Sequence, residues 1–332
     1  MNERELQDAV KGLPQSIEPP RDLWPGIQNR IGRRSSRLRW YWVAVPLAAA
    51  AALVAVLVGR SGPAAWDVAP LAGRPLLGTK PLVGSGRLRV GDWLQTDDSS
   101  RALIAVGKIG QVEVRPGTRV QLIAARADDH RLALARGTID AKVDAIPRLF
   151  FVETAAGTAI DLGCAYTLET DSLGNGLLHV TGGEVEFQTA ERSSRVPLGA
   201  MVQIRPAIGA GIPYVEDAPK QFVHALATFD FEGEGGSARS ARTVLALARS
   251  QDAISLWHLL QRVDPSLRGA VYDRLTALLP PPTGGGVTRA AALVLDQPAL
   301  DGYWQKIHRI LFRRTILRGV RRISPRTGLT QP

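Results

Sequence analysis

The sequence predicts a mainly β fold with an α-helical C-terminal domain, set behind one N-terminal transmembrane helix. Three observations predict it. Residues 40–58, WYWVAVPLAAAAALVAVLV, carry no charge. From about residue 82 to 206, apolar side chains recur at every second position, as in half-buried strands. Beyond residue 237 the apolar spacing becomes helical. A composition of 45% hydrophobic and 22% charged residues excludes wholesale disorder, a collagen-like repeat and a polytopic membrane protein. The one cysteine, Cys164, excludes an internal disulfide framework and multi-cysteine zinc or iron–sulfur modules.

The net charge of +10 sits at the two ends. Residues 1–39 hold eight basic and five acidic side chains, and residues 302–332 hold eight basic and none acidic. The 262 residues between them hold 25 basic and 26 acidic side chains, so the body is close to neutral. A nucleic-acid-binding domain spreads basic residues over a face of its body; this distribution points instead to ends that touch a surface or partner, with no direct contact to nucleic acid.

Residues 1–39 read as a short cytoplasmic segment, too short for an independent core. Within it Asp22 suits an N-cap, Pro25 falls in the first turn, and Leu23, Ile27 and Ile31 recur every four residues with Trp24 beside them. The resulting apolar stripe either holds a cytoplasmic protein or lies on the inner leaflet, where Arg33, Arg34, Arg37 and Arg39 meet anionic lipid. Residues 40–59 follow as the membrane helix. Its 19 uncharged residues span about 28 Å at 1.5 Å per residue, near the hydrocarbon thickness. Trp40, Tyr41 and Trp42 are its interfacial aromatics. Five arginines in RIGRRSSRLR precede the run and only Arg60 follows closely, which places the N-terminus in the cytoplasm and the bulk of the chain outside. A cleaved signal peptide has a shorter apolar run behind a shorter basic region.

Residues 60–80, rich in Gly, Pro and Ala, read as a linker. In 81–206 the alternation runs through Val112 and Val114, Val120 and Leu122, Leu132 and Leu134, Ile139, Ala141 and Val143, then Ile160, Leu162, Cys164, Tyr166 and Leu168, and finally Val185 and Phe187. Strands at such spacing predict an antiparallel sandwich or barrel. Leu132, Leu134, Gly137 and Ile139 are echoed 46 residues later by Leu178, Val180, Gly183 and Val185, which suggests two similar hairpins. Trp93 and Cys164 read as packed residues of their strands rather than as a ligand-stacking aromatic and a redox sensor.

The segments GDWLQTDDSSRALIAVGKIGQVEVRPGTRVQL, RLALARGTIDAKV, PRLFFVETAAGTAIDLGCAYTLE and LLHVTGGEVEF occur in the order of a FecR domain, and residues 82–206 resemble one. The shared signals are GD-x-L-x-T, P-x-T-x-V, G-x-I, F-x-V-x-T and G-x-x-[FY]. The resemblance implies a jelly-roll-like periplasmic sandwich in a single-pass inner-membrane protein, and an anti-sigma-like role exercised through a cytoplasmic segment on an extracytoplasmic-function sigma factor. Gly163-Cys164-Ala165 replaces the usual Gly-Thr before the aromatic, which marks a subfamily. Sigma-binding domains of this class carry several helices, where 39 residues offer one or two.

A connecting segment and GEGG linker are expected at 207–236, a helical domain at 237–301 and a basic amphipathic tail at 302–332. In the helical domain, Asp264 should cap a helix that has Pro265 at its first position, and further helices should run from about 287 to 295 and from 298 onward. In the tail, Ile307, Ile310, Leu311, Ile316, Leu317 and Val320 are interleaved with arginines. That pattern suits either contact with anionic headgroups or packing on the bundle. Gly233, Gly235 and Ala238 spell G-x-G-x-x-A, but the flanking Glu232 and Glu234 would repel a pyrophosphate and no βαβ repeat follows, so they read as linker. The closest two of the five histidines (130, 179, 224, 258 and 308) are 34 residues apart, and no hydrolase, zincin or Walker motif occurs. The expected function is therefore non-enzymatic and needs no cofactor or metal. It is either a membrane signal transducer with envelope and cytoplasmic partners, or a membrane-tethered periplasmic scaffold without inward signalling.

Overall fold

The computed structural model describes residues 65–232, 237–283 and 286–323. The expected membrane helix lies outside these residues, and among the described residues no helix is long and apolar enough to cross a membrane. The described chain is mainly β with helices at its C-terminal end.

Strands β1 (Ala65–Ala72), β4 (Gly86–Arg89), β6 (Arg101–Val106), β7 (Gly110–Val114), β12 (Ala165–Thr170), β13 (Gly176–Gly182), β16 (Ala200–Arg205), β17 (Gly209–Ala210) and β18 (Tyr214–Val215) belong to one sheet. Strands β2 (Leu76–Leu77), β3 (Lys80–Pro81), β5 (Trp93–Gln95), β8 (Arg119–Arg126), β10 (Phe150–Thr154), β11 (Gly157–Asp161), β14 (Glu184–Gln188) and β15 (Ser193–Pro197) belong to a second. The 15-residue β9 (Asp129–Val143) is shared. Its first half pairs with β8 and β10 in the second sheet, and its last residues pair with β7 and β12 in the first. Trp66 of the first sheet meets Phe150 of the second at a centroid distance of 6.4 Å and His130 at 5.8 Å, so the sheets face each other over one core. The predicted alternation is visible there, since Val112, Val114, Val120, Leu122, Leu132, Leu134, Ile139, Leu168 and Val185 are all buried.

The chain passes repeatedly between the sheets, and glycines with positive φ mark the crossings. β9 crosses at Gly137 (φ 93°), and the β13–β14 path crosses at Gly183 (φ 67°). A Cβ at Gly137 would stand 2.4 Å from the Thr118 backbone, and one at Gly183 would stand 2.1 Å from the Gly163 carbonyl oxygen. Only glycine fits both the dihedral and the approach. These two residues are the centres of the 46-residue echo. The echo therefore marks two strand paths bent across the core, not two hairpins. The alternation cannot distinguish these, because a corner preserves the inward face on both sides.

Four further expectations need correction. The stretch read as linker contains β1, an eight-residue strand with buried Trp66 and Val68; Pro70 and Gly73 mask its short alternation. The double sheet is not wholly antiparallel, because β10 runs parallel to the start of β9, with Phe150 opposite His130. β9 carries the chain into the first sheet and residues 144–149 return it to the second, so β10 enters in the same direction as β9 began. The single strand expected over residues 160–168 is broken at Gly163 (φ 90°) into β11 and β12. That break turns Asp161 inward and leaves Leu162 half-buried. Finally, the connecting segment contains helix α1 (Lys220–Phe231), with Phe222, Ala225, Leu226 and Phe229 on its buried face.

The remaining helices are α2 (Ala238–Leu247), α3 (Ala253–Arg262), α4 (Pro265–Leu278), α5 (Arg289–Leu293) and α6 (Gln297–Ile323). The expected cap is present, with the Asp264 carboxylate accepting from the Ser266 N–H at 2.9 Å and Pro265 opening α4. Because α1 is helical up to Phe231, no strand precedes the G-x-G-x-x-A segment, as a dinucleotide fold requires.

Candidate ligand groove

A groove runs along the outer face of the second sheet and continues under the helices. Its first recess, about 710 Å³, is lined by Arg131, Phe151, Thr158, Ile160 and Gln188 among others. Its second, about 610 Å³, is lined by Glu186, Arg192, Arg195, Trp257, Arg262 and Asp301 among others. Arg148 and Glu191 line both. Arg148 (φ 66°) and Ala207 (φ 62°), which lines the first recess, occupy the left-handed region that non-glycine residues rarely adopt. Backbone strain of this kind collects at binding sites.

The wall on the helical side is built from a seam between β15 and helix α3. Arg195 lies on β15, whose ladder partner is β14, and its outward N–H donates to His258 Nε2 at 3.1 Å. His258 Nδ1 lies 3.0 Å from the Ile254 carbonyl oxygen, so Nδ1 carries the proton and Nε2 accepts. Burial, with Arg262 and Arg195 nearby, pushes the His258 pKa down to about 3, and the ring stays neutral. Covering a strand edge with a helix removes a template for unwanted pairing. Beside it, the buried Asp230 of α1 accepts from the Ile212 N–H at 2.6 Å, from Arg262 Nη1 at 2.9 Å and from Arg192 at 3.4 Å. Arg262 also donates to Ser194 Oγ at 2.6 Å. Ser255 Oγ donates to the Pro213 carbonyl at 2.7 Å.

The floor and far wall present both signs of charge. Arg131 donates to Asp129 at 2.7 Å and to Glu153 at 3.1 Å, and its guanidinium lies 4.3 Å from the Phe151 ring centroid. Arg195 donates to Glu184 at 2.7 Å and lies 4.6 Å over the Trp304 ring. Glu184 in turn accepts from Trp304 Nε1 at 3.3 Å. Guanidinium groups placed over aromatic rings, with the carboxylates of Glu186, Glu191 and Asp301 in the lining, suit a polar ligand bearing charges of both signs. The groove's histidine has both nitrogens engaged, which leaves it no proton to take from or give to a ligand.

The residues singled out in the sequence fall in two groups. The cytoplasmic stripe (Leu23, Trp24, Ile27 and Ile31), the topology-setting arginines (Arg33, Arg34, Arg37 and Arg39) and the interfacial aromatics (Trp40, Tyr41 and Trp42) lie outside the described residues. Cys164 and Trp93 lie within them, away from the groove. Cys164 is buried and its thiol donates to Asp161 Oδ2 at 2.8 Å. Burial and the neighbouring carboxylate push the thiol far above its ordinary pKa. Trp93 is half-buried, with the Arg119 guanidinium 4.0 Å over its ring, so it stacks outside the core. Among the described residues no cluster of three His, Cys, Asp or Glu side chains could hold a metal ion. The sequence reading missed Asp230 and Arg262. The available signal was an acid beside the aromatic face of FVHALATFDF, since Asp230 follows Leu226 by four residues and adjoins Phe229.

No family model matches the chain, and no curated protein matches it. Two crystal structures of a candidate anti-sigma factor from Parabacteroides distasonis are similar in part, each at 18% identity over 40% of this chain, with TM-scores of 0.34 and 0.33. This chain covers 63% and 62% of those chains, less than two thirds of their length. A likeness at that level assigns neither fold nor function.

Proposed function

We propose that this protein is a single-pass envelope regulator of the FecR type, with a periplasmic double sheet that reads an envelope partner and a short cytoplasmic segment that contacts a regulatory protein, such as a sigma factor. The observation that carries the reading is the meeting of three separate motif residues at one corner. Thr96 ends GD-x-L-x-T, Thr118 lies in P-x-T-x-V, and Gly137 opens G-x-I. Thr96 Oγ1 donates to the Arg115 carbonyl at 2.6 Å and accepts from the Thr118 N–H at 2.9 Å. Thr118 Oγ1 lies 3.1 Å from the Thr138 carbonyl and accepts from the Thr138 N–H at 2.9 Å. Gly137 is the residue that lets β9 pass so close to Thr118. The motif order thus has a structural reason in this chain, which supports the resemblance from which the regulatory role is taken. The uncharged run 40–58 and its flanking arginines support the topology.

Replacing Trp24 and Ile27 by Asp tests the inward half of the proposal. The account expects the target transcripts to change while the protein remains in the membrane at its normal level. Unchanged transcripts and unchanged cytoplasmic contacts would overturn it. A second reading, a tethered scaffold, is favoured by the groove, which offers a seat to an envelope partner with no inward signal.

A further inference from the structure

We infer that the C-terminal helix α6 docks on an anionic lipid surface through its outward face. The inference goes beyond the regulatory reading and needs neither its cytoplasmic partner nor its signal. The described side chains of α6 anchor the helix to the body along one face. Tyr303, Trp304, Ile307 and Leu311 are buried, with Trp304 4.7 Å from Trp257 and the Tyr303 hydroxyl bonded to the Leu279 carbonyl. On its exposed side stand Arg309, Phe312 and Arg313, with Ile310 41% and Phe312 46% accessible. An exposed aromatic ring flanked by arginines fits a helix that lies in a headgroup layer.

Charge complementarity selects the occupant. From Gly302 to Ile323 the chain holds seven Lys and Arg residues and no acid, while its helical backbone runs on without a break to Ile323. An apolar recess of about 350 Å³, lined by Ile254, Leu278, Leu279, Ile307, Ile310 and Leu311, adjoins the same stretch of helix. Exposed apolar side chains beside Arg309 and Arg313, in a stretch whose sequence carries no acid, match a surface with acyl chains beneath fixed negative charge. An acidic protein would satisfy the arginines and leave Phe312 and Ile310 without a reason, so lipid accounts for more of the face.

The test places an environment-sensitive probe at Phe312→Cys in the full-length chain. Cys164 is buried and hydrogen-bonded, so the probe reports one site. The chain is reconstituted in nanodiscs of phosphatidylcholine alone, or with one quarter phosphatidylglycerol. The inference expects aqueous quenching of the probe to fall several-fold in the anionic discs only, and to recover at 1 M salt, where the Debye length is about 3 Å. It expects the same recovery in Arg309→Glu/Arg313→Glu. Amide exchange of residues 309–320 in the unlabelled chain provides a second readout, and should slow in anionic discs. Equal quenching in the two discs, or insensitivity to the charge reversals, would overturn the inference, as would exchange unchanged by phosphatidylglycerol. A chain that fails to enter neutral discs would count against the membrane anchor instead, and added phosphatidylglycerol vesicles would then answer the same question of Phe312.

Discussion

The double sheet is closed in two places by different chemistry. At the Gly137 corner, neutral hydroxyls of Thr96 and Thr118 satisfy the backbone groups that the bend frees. At the β15 edge, ionised groups do the work, with Asp230 and Arg262 paired out of water and a neutral His258 capping one N–H. The corner joins segments 19 to 22 residues apart, and the Asp230–Arg262, Arg195–His258 and Arg262–Ser194 contacts of the seam join segments 32 to 68 apart. The difference teaches where this fold is vulnerable. A hydroxyl corner fails by steric intrusion and is indifferent to pH, whereas the seam fails when either member of its ion pair is lost or when its neutral His258 is protonated.

The largest expected effect is at the seam. In Asp230→Ala the Arg262 guanidinium keeps its buried place without its partner, which should cost about 3–5 kcal/mol in denaturant unfolding. A loss below about 1 kcal/mol would mean that the pair contributes little and that the two closures do not differ as described.

The corner comes next. Gly137→Ala and Gly183→Ala each force a Cβ against backbone at a positive φ and should each cost about 1–3 kcal/mol or more. Gly78→Ala, at φ 62° with open space around the added methyl, should cost less and separates the dihedral from the clash. Equal losses at all three sites would show that close approach to Thr118 and Gly163 is irrelevant.

Smallest at mildly acidic pH, where only part of it has developed, is the pH response of the seam. His258 has a folded pKa near 3 and an ordinary value of 6.5. The unfolded chain therefore binds this proton first, so stability is full above about pH 6.5 and declines as the pH falls from 6.5 toward 3. His258→Gln should flatten that part of the stability–pH curve relative to the parent chain. A curve of the same slope in both would remove His258 from the account.

Much of the double sheet was legible in the sequence, because a sheet with one buried face writes itself as alternation. Val112, Leu132, Ile139 and Val185 are buried as their spacing predicts. The corners were half legible: Gly137 and Gly183 stood out as an echo, but local spacing does not say whether a glycine turns a strand back or bends it into another sheet. β1 was hidden because Pro70 interrupts it, and the parallel β9–β10 pair because no local pattern records strand direction. The groove was illegible for a different reason. Its parts come from β9, β10, β11, β14, β15, α3 and α6, and a neutral His258 or a buried Asp230 takes its meaning from partners dozens of residues away.

The most direct test of the central claim is a pull-down from detergent-solubilised native membranes, with the chain tagged at its C-terminus and compared with a version lacking residues 2–30. The regulatory account predicts a cytoplasmic protein, such as a sigma factor, that is captured by the intact chain and lost with the deletion. Envelope proteins alone, captured equally by both chains, would contradict it and leave the tethered scaffold as the function.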